Sequence, residues 1–140
     1  MGISSKVAAG ALGRITQASK TAQQTTITAV VDVAGLSVTF TALAGRRYLL
    51  SLECLMFSAT ADDVVQCQIT DNANTVLQLA QGISRVVNVG VSLIAEIEVV
   101  PGAGSVTYKA RALRASGAGN VTFDCGATYP ATLRVTDIGT

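Results

Sequence analysis

GRRYLLSLECLMFSATADDVVQCQITD, residues 45–71, holds two kinds of strand separated by one polar joint. Tyr48 to Phe57 is the longest apolar stretch of the chain, cut by Glu53. A strand that is apolar on both faces is either central in a sheet or packed against another subunit. After the joint Thr60-Ala-Asp-Asp63, Val65, Cys67 and Ile69 alternate with Gln66, Gln68 and Thr70. That period of two belongs to a strand with one buried and one wet face. The segment Asp71 to Asn74 has turn chemistry, because Asp and Asn side chains cap their own backbone.

The same texture continues in both directions. Thr25–Val31 reads as a first strand. Leu36, Val38 and Phe40 then share one face, opposite Ser37, Thr39 and Thr41. Val76–Ala80 is a shorter strand, and Val87–Val99 places Val89, Val91, Leu93, Ala95, Ile97 and Val99 on one side. Beyond the turn at Pro101–Gly104, Tyr108, Ala110 and Ala112 stand opposite Lys109 and Arg111. Val121, Phe123 and Cys125 face inward, and Leu133 and Val135 close the pattern. Recurrent turn signals without a long helix define an all-β chain, an antiparallel β-sandwich of eight to nine strands. Eight strands with nested connections would make it a jelly roll. We expect this domain over residues 25–140, behind an extended N-terminal arm at 1–24. In the arm Ile3, Val7, Ala11 and Ile15 have helical spacing, but Gly10 and Gly13 weaken it.

At 140 residues the chain has room for one core. Apolar types make up 49% and charged types 14%, well below the usual quarter of charged residues. Such a chain has little polar surface to spare, so copies of itself or a larger assembly are expected to cover part of it. Net charge is +1, which does not suit a nucleic-acid coat. Yet Lys6, Arg14 and Lys20 all precede the first acid, Asp32, and form the expected attachment residues of the arm. No stretch approaches the length of a membrane span. Neither nucleic acid nor membrane is expected as a partner.

Histidine is absent, which removes the commonest general base and any Ser-His-Asp arrangement. Glu96 and Glu98 share a strand face about 6.5–7 Å apart. That distance suits a glycosidase pair, but nothing in the pattern splits their environments. Asp62, Asp63, Asp71, Asn72 and Asn74 supply oxygens without the glycine and terminal glutamate of a calcium loop; turn chemistry accounts for them. Arg46, Arg47, Arg111 and Arg114 are either a basic patch or arginines lying over sheet edges. Cys54, Cys67 and Cys125 fit buried free thiols, and a Cys54–Cys67 bridge stays open should their strands be hairpin partners. No catalytic site, cofactor or metal is expected, and the chain is not read as an enzyme.

Five ordered pieces carry a family resemblance: GLSVTFTA at 35–42, AGRRY at 44–48, ITD at 69–71, GAGSVTYK at 102–109 and PATLRVTDIG at 130–139. Together they resemble surface proteins on the virions of actinobacteriophages that have a jelly roll similar to that of tumour necrosis factor. The resemblance implies a homotrimer packed sheet against sheet, placed on the virion exterior as a capsid decoration protein that binds the major capsid protein. A head- or tail-fibre module that binds a host receptor through loops at 59–63, 71–75 and 115–120 is the alternative. The doubly apolar strand supplies the expected trimer contacts: Tyr48, Leu50, Leu52, Leu55 and Phe57.

Overall fold

The structure, a computed structural model, describes residues 12–140. Ten strands follow one another: β1 (Gly13–Lys20), β2 (Gln24–Ile27), β3 (Val31–Ala42), β4 (Arg47–Ser58), β5 (Asp63–Asp71), β6 (Val76–Ser84), β7 (Val91–Val99), β8 (Gly104–Ser116), β9 (Val121–Asp124) and β10 (Ala131–Gly139). They form two antiparallel sheets. In the first, β10 lies between β1 and β4, and β7 takes the other edge of β4. In the second the order is β3-β8-β5-β6.

The pairings are nested: β1 with β10, β3 with β8, β4 with β7, and β5 with β6. A long hairpin folded over on itself gives this set, and with eight strands in two sheets it is a jelly roll. The two remaining strands are short insertions. β9 continues along β4 where β10 stops, at Leu55–Ser58, and β2 pairs on β9.

Alternation decides which side chains enter the space between the sheets. In β4, Tyr48, Leu50, Leu52, Cys54 and Met56 point inward and are buried. Val65, Cys67 and Ile69 of β5 face them, and all three are fully buried. Phe40, Tyr48 and Tyr108 cluster near one end, with centroids 5.0 Å apart for Phe40–Tyr48 and 6.2 Å for Phe40–Tyr108. The Tyr48 hydroxyl is not stranded there, since it accepts a hydrogen bond from the Leu43 amide at 3.0 Å. A buried phenol without such a partner would cost stability.

Two features correct the sequence reading. Residues 13–20 of the expected arm form β1, paired along β10 from Gly13–Asp137 to Lys20–Ala131, and Gln24 already belongs to β2. β1 is an edge strand held by backbone hydrogen bonds, with Ala18 as its modest apolar contribution to the core. Small side chains suffice for that role, which is why no hydrophobic period marks it. Second, Tyr48, Leu50 and Leu52 are core residues of the protomer at 2%, 0% and 0% exposure, not subunit contacts.

Local chemistry fixes the connections. Gly35, at φ +84°, sits where β3 slips against β8 between Asp32 and Ser37, a bulge conformation that glycine adopts without steric cost. At the start of β5, the buried Asp63 carboxylate accepts from the Ser58 hydroxyl at 2.7 Å and from the Gly119 and Ala118 amides at 2.8 and 3.1 Å. A Cβ on Gly117 would collide with that carboxylate. One aspartate thus ties β4, β5 and the β8–β9 turn. At the other end the buried Asp137 pairs with Arg46 in a two-pronged contact, 2.9 and 3.2 Å.

Candidate interaction face

The outward side chains of the first sheet run in rows across four strands. One row is Arg14, Thr136, Leu49 and Glu98; the next is Gln17, Arg134, Ser51 and Glu96; the third is Ser19, Thr132, Glu53 and Ile94. Beyond them Leu55 lies opposite Ser92 on β7 and Asp124 on β9, and Phe57 lies opposite Thr122. Leu49, Leu55 and Phe57 are half-buried, and Ile94 is 58% exposed. No second layer covers these side chains among the described residues. Leu55 and Phe57, two of the five expected trimer contacts, lie on the opposite side of β4 from Tyr48, Leu50 and Leu52.

The outer face of the second sheet is different. Ser37, Thr39, Thr107, Lys109 and Arg111 occupy its β3–β8 side. The Thr39 and Thr107 hydroxyls are 2.7 Å apart, while Lys109 and Arg111 both hold Asp32, at 3.0 and 2.8 Å. The Lys109 contact, joined by Arg111, holds the Asp32 carboxyl below its usual range. Gln81, Gln66 and Gln68 continue the network as a ladder of side-chain amides. The β3–β8 side is thus hydrogen-bonded to itself, while the β6 edge exposes Leu79 and Ile83, and the buried Gln68 Oε1 has no partner among the described residues.

The remaining candidates disperse. Glu98 is gripped by Arg47 through two bonds of 2.6 and 2.8 Å, which lower its pKa, and the Ser51 hydroxyl donates to Glu96 at 3.3 Å. The two carboxylates lie on an open sheet face, so the geometry offers no enclosed acid and base. Arg46, Arg47 and Arg111 serve Asp137, Glu98 and Asp32, while Arg114 donates to the Gly119 carbonyl at 2.6 Å. These four arginines do not make a patch. Asp62 meets Arg85 at 3.0 Å, and Asp71 accepts from the Ala73 and Thr75 amides at 2.9 and 2.8 Å. The latter is a side-chain-capped turn.

Cys54, Cys67 and Cys125 are buried free thiols. Cys54 belongs to the first sheet and Cys67 to the second, so they approach across the core rather than within a hairpin. Hydrogen bonding with Cys67, together with burial, pushes the Cys54 thiol far up, and burial raises Cys125. Such thiols are poor nucleophiles. No group of three His, Cys, Asp or Glu among the described residues is placed to hold a metal ion.

The three loops expected to act together are split. Residues 59–63 and 115–120 share one end, joined by Ala59 to Asn120 at 2.9 Å and by the Asp63 contacts. Residues 71–75 lie at the other end, where Asp71, Asn72 and Ala73 border a shallow polar recess with Ser105, Val106 and Thr107. The recess has no aromatic wall on which a sugar ring could stack. Of the attachment residues, Arg14 and Lys20 stand near opposite ends of β1, roughly 20 Å apart at strand rise. Lys6 lies outside the described residues.

The nested strand pairing defines the class: an all-β jelly-roll sandwich. No protein-family model matches the chain, and no curated protein matches it. Among solved structures, the chain is similar to the Eiger TNF of S. frugiperda, at 10% identity and a TM-score of 0.48, over 91% of this chain and 94% of that one. It is also similar to a chain of infectious bursal disease virus, Gt strain, at 8% identity and a TM-score of 0.38, over 91% of this chain and 42% of that one. This protein thus spans less than half of the viral chain. Both scores are below one half, so the fold rests on the strand pairing and not on these neighbours.

Proposed function

We propose that this chain is a structural virion protein of a tailed phage, a homotrimer that sits on the outer capsid surface, binds the major capsid protein and stabilises the shell. The observation supporting it is the outer face of the first sheet, where Leu49, Leu55, Phe57 and Ile94 stand uncovered among charged residues. In a chain this poor in charge, such a face fits contact between copies. The ordered sequence pieces at 35–48, 69–71, 102–109 and 130–139 supply the phage and trimer parts of the reading.

Capsid attachment belongs, on this reading, to the chain ahead of β1, where Lys6 lies. Arg14 and Lys20 are too far apart on a paired strand to act with it as one tether. Many weak contacts, repeated by three copies, would hold neighbouring capsomers together through avidity.

The test is sedimentation of purified protein with capsids that lack it, followed by heat and low-salt challenge. Saturable co-sedimentation with longer particle survival is expected, and deletion of residues 1–11 should abolish binding while far-UV circular dichroism stays unchanged. Absence of capsid binding, with retention on host cells, would transfer the protein to the receptor-binding class.

A further inference from the structure

Apart from the Arg47–Glu98 pair, the charges on the outer face of the first sheet are sorted rather than mixed. Arg14 and Arg134 lie on the β1–β10 flank, and Glu53 and Glu96 lie on the β4–β7 flank. Elsewhere in the described residues cations mostly sit beside acids: Arg46 with Asp137, Arg85 with Asp62, and Lys109 and Arg111 with Asp32. Among the described residues no ion pair reaches Arg14, Arg134, Glu53 or Glu96. Arg14 and Arg134 instead share Gln17, at 3.2 and 3.3 Å, and so lean toward the β1 edge. Arg134 and Glu96 occupy one row with Ser51 between them, about 10 Å apart at two strand spacings. Each flank also exposes an isoleucine: Ile15 at 42% beside Arg14, and Ile94 at 58% opposite Glu53.

We infer that copies of this chain join flank to flank, the basic β1–β10 side of one against the acidic β4–β7 side of the next. The inference rests on the self-association proposed above and specifies how it is built. Opposite charge on the two flanks makes like-on-like contact repulsive and unlike contact attractive. Ile15 and Ile94 add apolar area beside the ion pairs. Because the joined surfaces differ, the contact is heterologous: each copy uses one flank for each neighbour. A pair of copies would leave one basic and one acidic flank open, whereas a closed ring satisfies both on every copy. This reasoning favours a closed ring over a two-fold pair; that the ring has three members is the part supplied by the sequence resemblance.

The test compares four proteins by light scattering at micromolar concentration: the unchanged chain, Arg134→Glu, Glu96→Arg, and the double variant carrying both. The unchanged chain should be a trimer that weakens with added salt. Each single variant should dissociate, its association at least tenfold weaker, and the double variant should recover, because reversed charges meet again across the contact. Recovery also shows that neither substitution prevents folding, and far-UV circular dichroism checks the singles directly. Single variants that associate like the unchanged chain would overturn the inference, as would a double variant no better than the singles or a monomeric unchanged chain. Capsid binding is scored separately. Trimers with charge-dependent flanks that ignore capsids would sink the decoration reading alone, and capsid-binding trimers indifferent to charge reversal would sink the flank contact alone.

Discussion

The two sheets of this sandwich share a core and differ on their outer faces. On its β3–β8 side the second sheet meets solvent with hydroxyls and an Asp32 held by two cations, while along β6 it exposes Leu79 and Ile83 beside the glutamine ladder. The first sheet presents half-buried aliphatic and aromatic side chains among charges that, apart from the Arg47–Glu98 pair, form no ion pair among the described residues. The β3–β8 side of the second sheet is complete in the single chain, whereas the first sheet and the β6 edge of the second leave apolar side chains exposed.

The comparison also predicts where strength resides. Arg46→Ala would leave the buried Asp137 carboxylate without its cation at the end of the first sheet. The expected loss is about 3–5 kcal/mol in urea unfolding, whereas Thr39→Val, on the exposed hydroxyl pair of the second sheet, should cost about 1 kcal/mol or less. Equal losses would mean that the two sheets are held in the same way.

Acid should act at the joint between the sheets. The Ser58 hydroxyl, with the Gly119 and Ala118 amides, holds the Asp63 carboxyl below its ordinary 3.8 against the opposing effect of burial. A depressed folded pKa contributes stability that is present above 3.8 and lost as pH falls through the folded value. Asp32 is lowered in the same sense, and so is Glu98, from 4.5. Stability should hold at neutral pH and decline below about 4.5. Asp63→Asn should be less stable at pH 7 but flatter on acidification, with thermal melts at stepped pH as the readout. An unchanged slope would remove Asp63 from the joint.

The smallest effect concerns the outer faces themselves. Leu55→Ser with Phe57→Ser should leave folding within about 1 kcal/mol and weaken self-association by tenfold or more, read by light scattering. Thr39→Lys with Thr107→Lys should leave the mass unchanged. A reversed result would move the contact to the second sheet.

Much of this was legible in the chain. The alternations at 36–42 and 65–70 gave strands and inner faces directly, because each has polar residues at every second position to set the phase. The reading at 87–99 began four residues early, with Val89 exposed, and its outward Ile94 breaks the polar phase. Tyr48 to Ser58 was harder. Leucines stand on both sides, and the expected contacts mixed inward Tyr48, Leu50 and Leu52 with outward Leu55 and Phe57. Ser51 and Glu53 mark the outward phase, and carrying it forward places Leu49, Leu55 and Phe57 beside them. β1 had no comparable signal, since an edge strand that pairs through its backbone needs little side-chain hydrophobicity. The sorting of Arg134 from Glu96 was invisible as well, because it depends on β10 and β7 flanking β4 from opposite sides, a fact of topology rather than of local pattern.

Gly13 pairs with Asp137, so the first described strand is completed by the last. During synthesis the ribosome must release β10 before the first sheet can close, and the nested pairings make folding slow, in the range of milliseconds to seconds.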